Sequence, residues 1–242
     1  MLGKLYGVGV GPGDPDLLTL KAVKVLGDVD VIFAPKPSTD KPSLALTIVK
    51  PMLRDHQEVV ELVYPMTKER EVLEACWEKN ADLIISKLMT GKNAAFITLG
   101  DPMLYSTFIY TCRKIVAKAP DVEIEIVPGV TSITECAAIS RTSIAEGDEV
   151  VVIIPSLSDR EKIRGLAKYA DTLIFMKELA DTSLIVETLI ESGFNQETPV
   201  VIVKAYGGLK RKEVFIERLV TLTQLNFKDT YFSMLMVKRV KK

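Results

Sequence analysis

The stretch Leu5-Tyr-Gly-Val-Gly-Val-Gly-Pro-Gly-Asp-Pro-Asp16 decides the fold of this chain. Its first six residues are apolar, aromatic or glycine, which is typical of a short buried strand. The Gly and Pro residues that follow predict a tight turn, and Asp14 with Pro15 behind it predicts the N-cap and first position of a helix. A strand that turns directly into a helix opens a β-α-β unit. The stretch therefore predicts an α/β fold with a parallel sheet.

Strands and helices are predicted to alternate along the rest of the chain. Strands are predicted at residues 5–10, 29–34, 58–64, 94–99, 122–127, 149–154, 172–176, 199–204, 213–218 and 231–237. Helices are predicted at 17–26, 44–53, 107–118, 131–139, 159–169 and 183–191, and between a cap at Thr67 and a stop at Gly91. The first half alternates strictly, which predicts a mostly parallel sheet. The last two strands have no long helix between them and are predicted to pair antiparallel in a mixed second sheet.

The length and this pattern together predict two domains. At about 150 residues per domain, 242 residues correspond to one large domain or two small ones. The α/β pattern restarts between residues 119 and 130. We therefore expect an N-terminal α/β domain at 1–128, a C-terminal α/β domain at 129–242, and an active-site cleft between them.

Composition excludes several classes of protein. The net charge of -1 argues against a strongly basic nucleic-acid binder and against an acidic disordered chain. The single histidine, His56, lies in a polar loop and is expected at the surface, so no site that needs two histidines is possible. Three cysteines without a CxxC pair predict buried thiols in a reducing compartment. No apolar run approaches about 18 residues, and the N-terminus has no signal-peptide core, so we expect a cytoplasmic protein.

Three loops that follow predicted strands share Gly and Pro residues. They are Gly9–Pro15 after the first strand, Gly100–Pro102 after the fourth and Pro128–Ser132 after the fifth. In parallel α/β sheets, ligands bind beyond the carboxyl ends of the strands. The three loops together therefore predict a ligand site, although each one alone could be an ordinary turn before a capped helix.

The first two loops indicate a ligand without phosphate. The first does not complete G-x-G-x-x-G, and Asp14 and Asp16 would repel a pyrophosphate at the helix N-terminus. In the second loop, Asp101 is predicted to cap a helix that starts at Pro102. Met103, Leu104 and Tyr105 follow it, and apolar side chains at a strand end suit a flat ring. We therefore expect a neutral or cationic ligand rather than NAD or ATP.

The sequence resembles the tetrapyrrole methylase family along nearly its whole length. Three runs carry the resemblance in the family's order: G-V-G-P-G-D-P-D-L-L-T-L-K-A from Gly9, T-L-G-D-P-M-L-Y-S-T from Thr98 and V-P-G-V-T-S from Val127. Within the family, Tyr64-Pro-Met-Thr67, the Gly100–Thr107 octet and Ala145-Glu-Gly-Asp-Glu149 are most similar to the precorrin-2 C20-methyltransferases of cobalamin synthesis. The resemblance implies two α/β domains, dependence on S-adenosylmethionine, and a homodimer.

The resemblance also implies a set of site residues. In the family, S-adenosylmethionine is held in a folded conformation between the domains. The matching positions are Gly100, Asp101, Met103, Leu104, Thr131 and Ser132 in the first domain and Met176, Ala205 and Met234 in the second. The positions that match the substrate cleft are Gly9, Gly11, Pro12 and Tyr105. No protein-bound metal is implied, and we can assign no general base.

The implied acceptor, precorrin-2 or cobalt-precorrin-2, carries many carboxylates and requires cations around its site. The candidates are Lys36, Lys41, Arg141, Lys177, Lys204 and Lys210–Lys212, although each of them could be an ordinary surface charge. Other acceptors remain open, including another corrin position, uroporphyrinogen III, a diphthine-type protein site and ribosomal RNA. So does a module that binds a nucleoside without turnover. Neither the cobalt content of the acceptor nor the dimer interface follows from the sequence.

Overall fold

The computed structural model describes residues 1–155, 159–176, 182–206, 211–224 and 233–239 of the chain. The chain divides into two compact units, Met1–Ser132 and Ile133–Lys242, and the domain division after residue 128 stays a prediction. In the described part, no helix is both long and apolar enough to cross a membrane. His56 is exposed, as predicted.

The first unit is a five-stranded sheet flanked by helices. Its strands are β1 (Leu5–Gly9), β2 (Val31–Lys36), β3 (Glu58–Val63), β4 (Ala94–Thr98) and β5 (Ile124–Val127). Its helices are α1 (Leu20–Asp28), α2 (Leu44–Val49), α3 (Arg70–Leu88) and α4 (Thr107–Lys118). The strand order is β3-β2-β4-β1-β5 and every pairing is parallel, so the predicted parallel sheet is confirmed.

The strand order places a crevice at the carboxyl ends of β1 and β4. Residues of α1 and α2 pack with Val8 and Ile97 on one face of the sheet. Residues of α3 and α4 pack with Leu5 and Phe96 on the other face. The neighbouring strands β1 and β4 are thus followed by helices on opposite faces. Chains that leave a sheet edge in opposite directions open a crevice between them, which is where ligands bind in this class of sheet.

Two helix starts differ from the predictions. Asp14 caps only a 3₁₀-helix, Pro15–Leu17, where its Oδ1 accepts a hydrogen bond from the Asp16 amide at 3.0 Å. The helix α1 begins later because Leu18 is extended, and Thr19 is its cap. In the same way, the Thr67 hydroxyl accepts from the Glu69 amide and closes a turn just ahead of α3. A capping residue ahead of an apolar run predicts that a helix starts nearby, but not at which of two caps.

The second unit contains a mixed sheet, as predicted. Its helices are α5 (Ser132–Ser140), α6 (Arg160–Ala167) and α7 (Thr182–Glu191). Its strands are β6 (Val151–Ile154), β7 (Thr172–Met176), β8 (Pro199–Tyr206), β9 (Arg211–Arg218) and β10 (Ser233–Lys238), in the order β6-β7-β10-β8-β9. The prediction that the last two strands pair with each other is wrong, because β9 and β10 each pair antiparallel with β8 and therefore run parallel to one another. The strand β10 lies between β7 and β8.

Arg239 forms hydrogen bonds to the ends of two helices in the second unit. Its guanidinium lies 3.7 Å from the centroid of the Phe194 ring. It donates hydrogen bonds at 2.9–3.3 Å to carbonyl oxygens of Ala167, Ala170, Ser192 and Gly193. These carbonyls lie at the ends of α6 and α7, where helices leave backbone acceptors without partners. One planar cation therefore satisfies acceptors of two helices at once.

The three thiols are expected to react slowly in the folded chain. Burial raises the pKa of Cys136 to about 12 and also raises the pKa of Cys76 and Cys112. A raised pKa leaves little thiolate, the reactive form, at pH 8. We expect a disulfide reagent such as DTNB to label the native chain much more slowly than the urea-unfolded chain. Rapid labelling of a thiol in the native chain would contradict this placement.

Candidate active site

Backbone hydrogen bonds join the loops after β1 and β4. The Val10 amide donates to the Thr98 carbonyl at 2.9 Å. The Gly100 amide donates to the Gly11 carbonyl at 2.8 Å, and the Gly11 amide donates back to the Gly100 carbonyl at 3.3 Å. The two loops thus continue the sheet as a small antiparallel bridge. Both glycines have a positive φ, +76° for Gly11 and +70° for Gly100, a conformation that glycine adopts without steric cost.

Three glycines from three loops meet in this crevice, and we call Gly9, Gly100 and Gly129 the glycine cluster. A Cβ added to Gly129 would lie 2.2 Å from the Gly100 carbonyl oxygen. A Cβ added to Gly9 would lie 2.6 Å from that oxygen and from the Gly129 nitrogen. A Cβ added to Gly100, in contrast, would meet no atom within 4 Å. Backbone atoms therefore leave no room for a side chain at Gly9 or Gly129, whereas the backbone of Gly100 faces open space.

Asp101 ties the β4 loop to the β5 loop. Its Oδ1 accepts from the Met103 amide at 2.8 Å, and its Oδ2 accepts from the Gly129 amide at 3.0 Å. The prediction that Asp101 caps a helix starting at Pro102 is therefore wrong. The helix α4 starts at Thr107 and is capped by the Ser106 hydroxyl, which accepts from the Phe108 amide. The carboxylate folds the loop instead, because both of its oxygens are held by backbone amides of two loops.

The segment between Asp101 and α4 presents apolar side chains to solvent. Met103 is 57% exposed and Tyr105 is 46% exposed, while Leu104 is half-buried. Tyr105 has a φ of +49°, an uncommon conformation for a residue with a side chain. The following residue is fixed, because the Ser106 hydroxyl also lies 3.0 Å from that of Thr98. Exposed apolar groups on a strained, anchored loop are typical of ligand contacts.

The other predicted positions of the first unit lie in the same loops. Gly9, Gly11 and Pro12 are buried, so they contribute a main-chain floor and no exposed side chain. Thr131 and Ser132 are half-buried, and Ser132 is the first residue of α5. The hydrogen bonds of Gly11, Gly100 and Asp101 thus bring together the loops that carry the predicted residues before Thr131.

The predicted residues of the second unit lie together at one end of its three central strands. Met234 is the cross-strand partner of Met176 on β7 and of Val203 on β8. Ala205 follows two positions after Val203 on β8. Met234 is buried, whereas Met176 and Ala205 are half-buried. The three predicted positions are therefore neighbours, although they come from three separate strands.

The predicted cations have different surroundings. Lys36 donates to Glu61 Oε2 at 2.8 Å, and Lys212 pairs with Glu135. Lys204 is buried, with its ammonium 5.3 Å from the centroid of the Phe215 ring. Lys41 and Arg141 are exposed. Lys177, Lys210 and the side chain of Arg211 lie outside the described residues.

Because of these different surroundings, the candidate cations differ in the free energy that each would lose on binding a substrate carboxylate. Lys36 and Lys212 already neutralise protein carboxylates, so a substrate carboxylate would have to compete with those. Lys41 and Arg141 are exposed, and although Lys41 lies near the Asp40 carboxylate, neither forms a salt bridge among the described residues. We therefore favour Lys41 and Arg141 among the described candidates.

The site in the first unit suits a ligand that carries a positive charge and no phosphate. The open backbone at Gly100 lies beside the partly buried carboxylate of Asp101, and a carboxylate disfavours an anion. Among the described residues, no group of His, Cys, Asp and Glu could hold a metal ion. Thr98 and Ser106 were not among the predicted site residues, although a serine directly before a helical pattern is itself a cap signature.

Comparison with known proteins gives the family context of this site. The sequence model of the tetrapyrrole (corrin/porphyrin) methylase family matches residues 4–223 of the chain. The chain is 37% identical over 247 aligned residues to the probable cobalt-precorrin-2 C(20)-methyltransferase of Methanocaldococcus jannaschii, covering 100% of this chain and 99% of that protein. It is 35% identical to the cobalt-precorrin-2 C(20)-methyltransferase of Salmonella typhimurium, covering 80% of each chain.

Solved structures share the fold. The crystal structure of a cobalt precorrin-4 methyltransferase superposes with a TM-score of 0.76 at 24% identity, covering 97% of this chain and 94% of that one. A uroporphyrin-III C-methyl transferase from Thermus thermophilus, complexed with S-adenyl homocysteine, superposes with a TM-score of 0.70 at 20% identity. The superposition covers 98% of this chain and 92% of that one.

Proposed function

Since this chain belongs to the tetrapyrrole methylase family, we propose that it transfers the methyl group of S-adenosylmethionine to C20 of cobalt-precorrin-2 in cobalamin synthesis. The observation that carries the proposal is the crevice of the first unit, in which the loops after β1, β4 and β5 are joined by the glycine cluster and Asp101. The two relatives above, both named for this C20 reaction, support the choice of acceptor.

The cobalt form of the acceptor is proposed on the same basis. Both relatives are named for cobalt-precorrin-2, and one of them aligns over the whole of this chain. The metal would belong to the substrate, so the protein need not supply ligands for it.

The proposed reaction needs alignment more than it needs a catalytic nucleophile. S-adenosylmethionine would supply an electrophilic methyl group on a sulfonium and leave as S-adenosylhomocysteine, and the reduced tetrapyrrole would supply a nucleophilic ring carbon that loses its proton after the transfer. Holding two reactants in line can lower a barrier by about 7–11 kcal/mol. In this chain, Asp101 fixes the main chain of two loops, and Gly100 leaves space for close approach. Met103 and Tyr105 offer apolar surface that excludes water.

The direct test is a methylation assay with the purified full chain. Cobalt-precorrin-2 and methyl-labelled S-adenosylmethionine are incubated without oxygen, and the labelled carbon is identified by NMR. The expected product carries the label at C20. Methylation at another ring carbon, or methylation of metal-free precorrin-2 alone, would contradict the proposed acceptor. Binding of S-adenosylmethionine with no transfer to either tetrapyrrole would favour a non-catalytic module.

Replacing Asp101 by alanine is expected to weaken S-adenosylmethionine binding about tenfold or more. The change removes two acceptors from backbone amides, and a hydrogen bond to a charged group contributes about 1.5–3 kcal/mol. Isothermal calorimetry measures the affinity. Asp101→Asn should restore the affinity only in part. Its amide oxygen can still accept from the Met103 amide, but its NH₂ group would face the Gly129 N–H, and two donors form no hydrogen bond.

Asp14→Ala is the matched control for this prediction. Asp14 also accepts from a backbone amide two residues on, but it is exposed and holds no second loop. Its substitution should leave the affinity unchanged. Equal effects of Asp14→Ala and Asp101→Ala would show that the join between the β4 and β5 loops is not what matters.

The oligomeric state and the location are part of the proposal. The family resemblance supports a homodimer, so light scattering should give the mass of two chains of 26.8 kDa. Three free cysteines fit a cytoplasmic location.

A further inference from the structure

An apolar cavity of about 230 Å³ lies beyond the carboxyl end of β3 in the first unit. It is lined by the segment Tyr64–Met66, which follows β3, and by Leu73, Trp77, Thr107 and Tyr110 on α3 and α4. We call it the aromatic cavity. None of its lining residues carries a charge, so its walls offer carbon surface and ring faces.

The walls of the aromatic cavity are held in place by hydrogen bonds. The hydroxyl oxygens of Tyr64 and Thr111 lie 2.8 Å apart in a buried contact. The carbonyl of Val63 accepts from Asn80 Nδ2 and from Cys76 Sγ, both at 3.1 Å. The rings of Trp77 and Tyr110 are stacked, with centroids 4.4 Å apart and planes 6° apart. The cavity is therefore preformed, and binding a ligand there requires little ordering of its walls.

The size of the cavity limits what can enter it. Pockets that hold a whole drug-sized ligand measure about 300–1,000 Å³. A volume of about 230 Å³ is smaller than this range, so the cavity fits one flat, apolar part of a larger molecule. Charged arms of that molecule would stay outside, because a buried charge without a partner is unfavourable.

The position of the cavity points to one molecule. Thr107 lines it and also ends the Gly100–Thr107 run, two residues after the strained and exposed Tyr105. The run thus connects the crevice to the cavity along the same sheet edge. We propose that the aromatic cavity is a specificity subsite, which takes one ring edge of the tetrapyrrole acceptor while its carboxylates remain outside the cavity. This inference rests on the proposed function, because the acceptor is the flat molecule that the crevice would hold.

Methionine NMR tests the subsite by binding alone. The full chain is labelled with [¹³C-methyl]methionine, and the Met66 signal is assigned with Met66→Leu. Cobalt-precorrin-2 is then added together with S-adenosylhomocysteine, so that no methyl transfer occurs. Met66 lines the cavity and is 65% exposed, whereas Met89, at the far end of α3, is 69% exposed and serves as the internal control. The Met66 signal should shift or broaden until saturation while the Met89 signal stays in place.

Kinetics of Tyr110 variants provide the second measurement. Tyr110→Ala should raise the KM for the acceptor about tenfold and leave kcat and the affinity for S-adenosylmethionine unchanged. Tyr110→Phe should keep the wild-type KM, because it retains the ring that stacks on Trp77. Tyr169→Ala, which removes a ring that is 79% exposed in the second unit, is the matched control.

The outcomes separate the subsite from the proposed function. If the acceptor is methylated at C20 but the Met66 signal and the KM of Tyr110→Ala do not change, the subsite is rejected and the function stands. If no methylation occurs but the Met66 signal still saturates, the subsite is supported and the proposed reaction is rejected. If the Met66 and Met89 signals change equally, binding is non-specific and the subsite is rejected.

Discussion

Gly129→Ala is expected to lower kcat/KM about 100-fold and to lower the melting temperature by about 2–12 °C. The added Cβ would lie 2.2 Å from the Gly100 carbonyl oxygen and 2.9 Å from Gly9 backbone atoms, so a loop has to move. Overpacking of this kind costs about 1–3 kcal/mol, and 1 kcal/mol corresponds to about 2–4 °C in a chain of this length. A shift of about 1 Å in a positioning element can reduce the rate about 100-fold.

Gly165→Ala is the matched control for this prediction. Gly165 lies within α6, and a Cβ there would meet no atom within 4 Å. Alanine favours a helix interior by about 0.5–1 kcal/mol relative to glycine, so this variant should be slightly more stable and equally active. Circular dichroism and the methylation assay measure both effects. Wild-type activity in Gly129→Ala would exclude the glycine cluster as a positioning element.

Arg239→Ala is expected to destabilise the second unit by about 3 kcal/mol. The change leaves carbonyl oxygens at the ends of α6 and α7 without their donor, and each buried acceptor left unpaired costs about 1–3 kcal/mol. Some of these oxygens will regain water, so the costs do not add in full. The cation–π contact with Phe194 is also lost. Thermal unfolding should shift down by about 6–12 °C.

Two further variants separate the geometry of Arg239 from its charge. Arg239→Lys keeps the charge but cannot reach two helix ends with one planar group, so it should lie between the wild type and Arg239→Ala. Arg218→Ala removes an exposed ion pair with Glu197 and should change stability by less than about 1 kcal/mol. If Arg239→Lys were as stable as the wild type, charge alone would account for the effect.

Much of the fold follows from local sequence patterns. The helical pattern predicts the bounds of α4 to the residue, whereas the capping motif at Asp101 predicts a start at Pro102, which is wrong. The buried run that ends at Met176 predicts the bounds of β7 to the residue. The insertion of β10 between β7 and β8 could not be predicted in this way. Alternating apolar residues indicate that a segment is a strand, but they do not select its partner from several apolar strands.

The candidate site was predictable as a set of loops but not as a set of contacts. Gly, Pro and Asp residues after strands marked Gly9, Gly100 and Gly129 as turn positions. That the main chains of these glycines touch depends on the neighbouring order of β4, β1 and β5. For the same reason, the sequence suggested a local capping role for Asp101, whereas one of its oxygens binds a loop that is distant in sequence. The stack of Trp77 on Tyr110 likewise joins two helices.

The glycine cluster has a consequence for redesign of this enzyme. A floor built from main chain cannot be reshaped by exchanging side chains, because any Cβ at Gly9 or Gly129 collides with backbone. The exposed side chains of Met66 and Tyr105 can be exchanged instead, whereas Met103 is among the positions expected to hold the donor. A library directed at a new tetrapyrrole acceptor should therefore randomise Met66 and Tyr105 and keep Met103 and the glycines, so that donor recognition is inherited while acceptor choice evolves separately.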